Sequence, residues 1–150
     1  MVYQIAYVSV TNRPLAASDV SDILNVSQKN NERERITGLL MYHDQLFFQV
    51  LEGELSSVKT SYERIGFDER HHGLALVWEG EVEERAFPAW SMGLADPDAL
   101  GEQNKAHLRS LTELKRREGS ILTGDTLAEE LVRSVLDEFR GVQGQMQTPY

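Results

Sequence analysis

One amide interrupts an apolar run, and two further polar side chains sit in suggestive places. The run Leu46-Phe47-Phe48-Gln49-Val50-Leu51 reads as a buried strand, apolar on both faces except at Gln49. A buried amide must find partners, because leaving it unsatisfied costs roughly 1–3 kcal/mol. It carries a donor at one end and an acceptor at the other, so turning it over reverses its hydrogen-bonding pattern. Tyr7 lies inside the first predicted strand, and Asn31 at the predicted end of the first helix. Any one of these could be tied off by backbone. Together they read as the polar trim of a ligand pocket.

The elements that must hold these groups can be read from periodicity. Tyr3 to Val10 alternates and is predicted to be a strand. Ser18-Asp19 offers a helix N-cap, and Val20, Ile23, Leu24 and Ser27 follow at helical spacing. Asn30-Asn31 should end this helix, since asparagine tolerates the left-handed conformation. Ile36 to His43 and Leu46 to Leu51 form a hairpin about Asp44-Gln45. Ser56-Ser57 lead into a second helix with Leu55, Val58, Tyr62 and Ile65 inward, ending in the polar cluster Asp68 to His72. Leu74 to Val82 and Ala89 to Leu94 give two more strands. The Glu-rich stretch between them, Glu79 to Arg85, is expected to be a solvated hairpin arm. Leu100, Leu108, Leu111 and Leu114 suggest a further helix. Leu127, Leu131, Val132, Val135, Leu136 and Phe139 suggest another, over residues 125–140.

The resulting order, βαββαββ followed by two helices, predicts an α+β, ferredoxin-like sheet with two helices on one face. The other sheet face is also apolar, through Val8, Val10, Phe48 and Val50. The C-terminal helices or a second copy of the chain must cover it. The expected division is a domain over residues 1–97 and a helical extension over residues 98–150.

Composition narrows the partners. The chain has 150 residues, enough to bury about 68–70% of the surface its unfolded form exposes. A formal net charge of −9 argues against nucleic acid or an anionic membrane as partner. There is no cysteine, which excludes disulfides, thiolate metal sites and thiol nucleophiles. No apolar run is long enough to span a membrane, and Met1-Val2-Tyr3-Gln4 carries no signal-like pattern. A cytoplasmic location is the expectation.

The chain resembles BLUF domains, blue-light sensors that use flavin. The resemblance covers about residues 1–100 and is carried by Ile5-Ala6-Tyr7-Val8-Ser9, Asn30-Asn31, Ile36-Thr37-Gly38-Leu39-Leu40, Phe48-Gln49-Val50-Leu51-Glu52-Gly53, Asp68-Glu69-Arg70-His71-His72 and Phe87-Pro88-Ala89-Trp90-Ser91-Met92, in that order. It implies a photoreceptor rather than an enzyme, with non-covalently bound flavin, FAD by expectation and FMN as the alternative. Tyr7 resembles the family's electron and proton donor. Gln49 resembles the amide that bridges this tyrosine and the flavin and records illumination by changing its hydrogen bonds. Asn31 would meet the ring's carbonyl edge, Asn30 beside it would belong to the cofactor-binding residues, and Ile23 and Ile65 would sandwich the ring. Arg64 and Lys29 would reach ribityl or phosphate oxygens. Asp68, Arg70 and His71 belong to the polar cluster near the ring. Trp90, Ser91 and Met92 resemble the fifth-strand segment that relays the signal, although Trp90 also reads as a core or interface anchor. Output through a separate effector protein and a homo-oligomer are further expectations.

Two other chemistries compete. Ferredoxin-like acylphosphatases use an arginine and an asparagine, and Arg13 and Asn31 could serve, but Thr11-Asn12-Arg13-Pro14 is no glycine-rich phosphate loop. His71-His72 with Asp68 lacks a third ligand cluster, so no metal site is expected. A colourless interaction module with the same fold is the remaining alternative.

Overall fold

A computed structural model of the chain describes residues 1–11, 13–43, 45–67, 72–88, 91–95, 100–118, 130 and 133–138. The alternating N-terminal segment forms β1, Val2–Val10. Ile5 and Tyr7 join one buried cluster and Ala6 and Val8 another, as a period of two requires. Strands β2, Thr37–His43, and β3, Leu46–Gly53, are the expected hairpin. At its turn Gln45 adopts a left-handed φ of 65°. Its backbone oxygen accepts from the Thr11 N–H at 3.0 Å, which ties the turn to the end of β1. Helix α1, Ala17–Glu34, connects β1 to β2, and α2, Leu55–Gly66, connects β3 to β4, His72–Val82.

The sheet order is β4-β1-β3-β2-β5, with β1 antiparallel to both β3 and β4. This is the α+β, ferredoxin-like arrangement expected. Its fifth strand departs from expectation. The short β5, Gly93–Leu94, runs parallel to β2 at the edge opposite β4, so β4 and β5 form no hairpin. The chain instead crosses the sheet between them. Ala86 and Phe87 are buried in the same cluster as Val8 and Phe48, and their burial outweighs the solvation of the neighbouring glutamates.

Helix α1 also differs at both ends. Asp19 is not its N-cap; its Oδ2 accepts from the Ala16 N–H at 3.1 Å from within the first turn. The helix continues one turn past Asn31, and Arg35 takes the left-handed position with φ 58°. The Asn31 oxygen accepts from the Ile36 N–H at 2.8 Å, so this last turn is capped by backbone rather than by asparagine geometry. Leu55, expected inward on α2, is exposed, while Ser61 is buried.

The second apolar sheet face is covered by the C-terminal third. Leu100, Leu108, Val135 and Leu136 pack into one cluster with Ala6, Val8, Phe48 and Val50. Leu108 lies in α3, Glu102–Glu118. Residues 130 and 133–138 are helical, and the rest of the helix expected over residues 125–140 lies outside the described residues. Asn104 on α3 donates to the Ser134 oxygen at 3.2 Å and to Glu138 at 2.6 Å, fixing the two helical segments together.

Candidate functional site

Register brings the site together. Tyr7 on β1 and Leu40 on β2 flank Gln49 on the central strand β3. All three side chains turn toward α1 and α2. Tyr7 is fully buried, and its hydroxyl donates to Gln49 Oε1. The other end of the amide, Nε2, donates to the Met92 sulfur at 3.7 Å. A thioether is a weak acceptor, so the donor end of Gln49 is poorly matched. The edge of Tyr62 meets the Tyr7 ring at a centroid distance of 5.1 Å.

Helix α1 holds the approach to Met92. Asn31 Nδ2 donates to the Ser91 oxygen at 2.7 Å, and Gln28 Nε2 to the Met92 oxygen at 3.0 Å. Gln28 was not anticipated from sequence, yet Val20, Leu24, Gln28 and Asn31 form one buried helical stripe. The same argument finds Ser61, one turn past Val58 on α2.

Between α1, α2 and the sheet lies a cavity of about 140 Å³. Ile23 and Val26 on α1 and Ile65 on α2 give it aliphatic walls, and Leu40, Phe47 and Gln49 give it a floor. Ser27, Asn30 and Asn31 supply polar groups on the α1 side, Ser61 and Arg64 on the α2 side. Arg64 does not point freely into it. Its guanidinium donates to Glu34 at 2.9 and 3.3 Å and to Ser61 Oγ at 2.9 Å. The Arg64 hydrogen bond holds the Glu34 carboxyl below its ordinary range. Burial, and then the charge of Glu79, raise Tyr62 above the usual tyrosine value.

The structure thus brings Ile23, Asn30, Asn31, Gln49, Arg64 and Ile65 around one cavity. Lys29 is exposed and does not line it. Asp68, Arg70, His71 and Trp90 lie outside the described residues. Arg13 is exposed and also absent from the lining, so it forms no phosphoryl site with Asn31 there. Among the described residues no group of three or more His, Asp or Glu could hold a metal ion, and no helix is long and apolar enough to cross a membrane.

A cavity with aliphatic walls and amides at its rim has the mixed lining of a small-molecule site. The chain belongs to the BLUF family, sensors of blue light using FAD, whose family model matches residues 2–93. Flavin is the ligand class of that family. A photoactivated adenylate cyclase subunit beta from Euglena longa is 34% identical over 97 residues, which are 64% of this chain and 11% of that protein. The photo-activated state of BlsA superposes with a TM-score of 0.73 at 25% identity, covering 93% of this chain and 95% of BlsA. A bacterial light-regulated adenylyl cyclase gives a TM-score of 0.69 at 33% identity, covering 77% of this chain and 35% of that one.

Proposed function

We propose that this chain is a blue-light photoreceptor that holds FAD between α1 and α2 and stores the light signal in the orientation of Gln49. The observation that carries this reading is the asymmetry of one buried amide. Its oxygen takes the Tyr7 hydroxyl, while its NH2 group has a sulfur at 3.7 Å. An amide with one strong and one weak partner, at the wall of a cavity, is suited to a ligand that offers a better acceptor.

The residues present fit a flavin. Ile23 and Ile65 would contact the ring faces, and Asn30 and Asn31 the carbonyl edge. Arg64 would meet ribityl or phosphate oxygens once it leaves Glu34. Bound flavin supplies a light-generated oxidant. Tyr7 would be the residue that gives up an electron to that oxidant and its phenolic proton to Gln49, whose Oε1 already accepts from the hydroxyl. Return of both to Tyr7 leaves Gln49 rotated or tautomerised, with donor and acceptor ends exchanged. With no cysteine in the chain, a flavin–thiol adduct cannot be the stored signal.

Met92 is the first residue to sense that exchange, because its sulfur is the present partner of Gln49 Nε2. Ser91 and Trp90 follow it in the relay toward output. In this reading residues 1–97 are the sensor, and residues 98–150 form the extension that meets a separate effector protein or a second copy of the chain in the cytoplasm. Absorption before and after blue illumination tests the reading. A flavin spectrum with a reversible red shift is expected. A protein that takes up no flavin, or whose bound flavin spectrum is unchanged by light, overturns it. Chromatography of the released cofactor distinguishes FAD from FMN.

A further inference from the structure

Glu52 is the penultimate residue of the strand that carries Gln49, and its side chain is fully buried. Its carboxylate accepts four hydrogen bonds. Gln4 Nε2 donates at 2.8 Å and Thr37 Oγ1 at 3.2 Å. The Ala86 N–H reaches Oε1 at 2.8 Å and the Phe87 N–H reaches Oε2 at 2.9 Å. These two N–H groups lie between β4 and β5, a few residues before Ser91 and Met92 in the chain.

The node is braced from two sides. Arg85 donates to Thr37 Oγ1 at 2.8 Å and to the backbone oxygens of Glu52 and Arg35 at 3.1 and 2.9 Å. Gln4 is held in turn by Trp78, whose Nε1 donates to Gln4 Oε1 at 3.0 Å. Burying a carboxylate in a chain of net charge −9 is costly, and a neutral amide would avoid that cost. An amide cannot replace it, however. It would turn a donor toward one of two consecutive N–H groups, whereas a carboxylate gives each its own oxygen.

We propose that Glu52 is a positioning residue of the flavin site: by fixing the start of the crossing segment, it sets where Met92 meets Gln49. The segment is held at its far end by Asn31 and Gln28 and at its near end by this carboxylate. Release of the near end therefore shifts the sulfur against the amide without touching the cavity. The effect on light sensing rests on the photoreceptor reading; the effect on Met92 does not.

The full-length chain with Glu52→Gln tests this in two arms. The first follows the Met92 methyl group by NMR on methionine-labelled protein without added flavin, assigned through Met92→Leu. A displaced Met92 resonance is expected while the circular dichroism spectrum stays that of the folded chain. The second follows thermal return after illumination of the flavin-loaded protein, with flavin uptake retained and a recovery rate changed about tenfold. A folded variant with an unmoved Met92 signal overturns the proposal, as does an unchanged recovery rate. Should Glu52→Gln not fold, Thr37→Val and Arg85→Met each remove one strut, and silence of both variants at Met92 overturns it equally. If the unaltered chain takes up no flavin, the photoreceptor reading fails, while the first arm still decides the role of Glu52.

Discussion

The two faces of β3 are built to opposite rules. Phe48 and Val50 point to the back of the sheet, where both are fully buried among Val8, Leu39, Met41 and the C-terminal residues Leu108 and Val135. Gln49, between them, points to the front, where it meets a hydroxyl, a sulfur and a cavity. The back face is filled by side chains with one low-energy arrangement, as close packing demands. The front face leaves one amide with unequal partners. In the proposed mechanism a rigid back serves the front, because a hydrogen-bond exchange at Gln49 would move Met92 only if the strand itself did not yield.

Mutations on adjacent residues should separate these roles. The largest effect is expected at Gln49→Leu, which should keep flavin and lose the light-induced red shift entirely. Tyr7→Phe should behave likewise, because it removes the hydroxyl that Gln49 accepts from. A surviving shift in either, read by difference spectroscopy, would break the assignment of the front face. Phe48→Ala, one residue away, should instead cost about 3–5 kcal/mol of unfolding free energy in urea titration. The folded fraction should still respond to light. A neutral Phe48→Ala would mean that the back face is not the packed reference the comparison requires.

Between these extremes lies Ile23→Asp, which places a carboxylate on the aliphatic wall. Flavin retention during gel filtration should fall at least about tenfold, since an unpaired charge against an apolar ring costs a few kcal/mol. Unchanged occupancy would move the ring's position away from α1.

Much of this asymmetry was legible in sequence. Gln49 and Tyr7 are legible because an amide and a phenol interrupt apolar runs together; either alone could be tied off by backbone. The hairpin and both long helices followed from clean periods and turn residues. The path after β4 was not legible. Gly93–Leu94 falls within the strand expected over Ala89 to Leu94, but so short a strand carries no signal for its parallel pairing with β2, and the glutamates around residues 79–84 mask the burial of Ala86 and Phe87 just beyond them. Glu52 was hidden for a related reason: a charged residue before glycine at a strand end reads as a turn, and only tertiary structure supplies the amides that bury it. The end of α1 is not legible, because Asn31 looks like a cap in isolation, whereas its side chain donates to the Ser91 oxygen across the site. Ion pairing of Arg64 with Glu34 could not be foreseen, because the two residues meet only when α1 and α2 pack side by side.

The smallest expected effect concerns the outer rim of the front face and its response to alkali. The Tyr3 hydroxyl donates to Glu79, and Tyr62 feels the same carboxylate. Burial, then the Glu79 hydrogen bond and its charge, push Tyr3 up to about 12. A tyrosine whose value is raised on folding holds its proton more tightly in the native state. Its contribution is fully present below the ordinary tyrosine value and is lost as pH rises from there through about 12. Stability measured by urea titration should therefore decline across that alkaline window. Tyr3→Phe should flatten part of the decline, with little change at neutral pH, because the rim is solvated and the hydrogen bond there is worth little. Among the described residues the cluster around Phe48 contains no tyrosine, so Phe48→Ala should lower the whole curve without changing its alkaline slope. A Tyr3→Phe profile as steep as that of the unaltered chain would assign the alkaline sensitivity elsewhere, with Tyr62 the next group to remove.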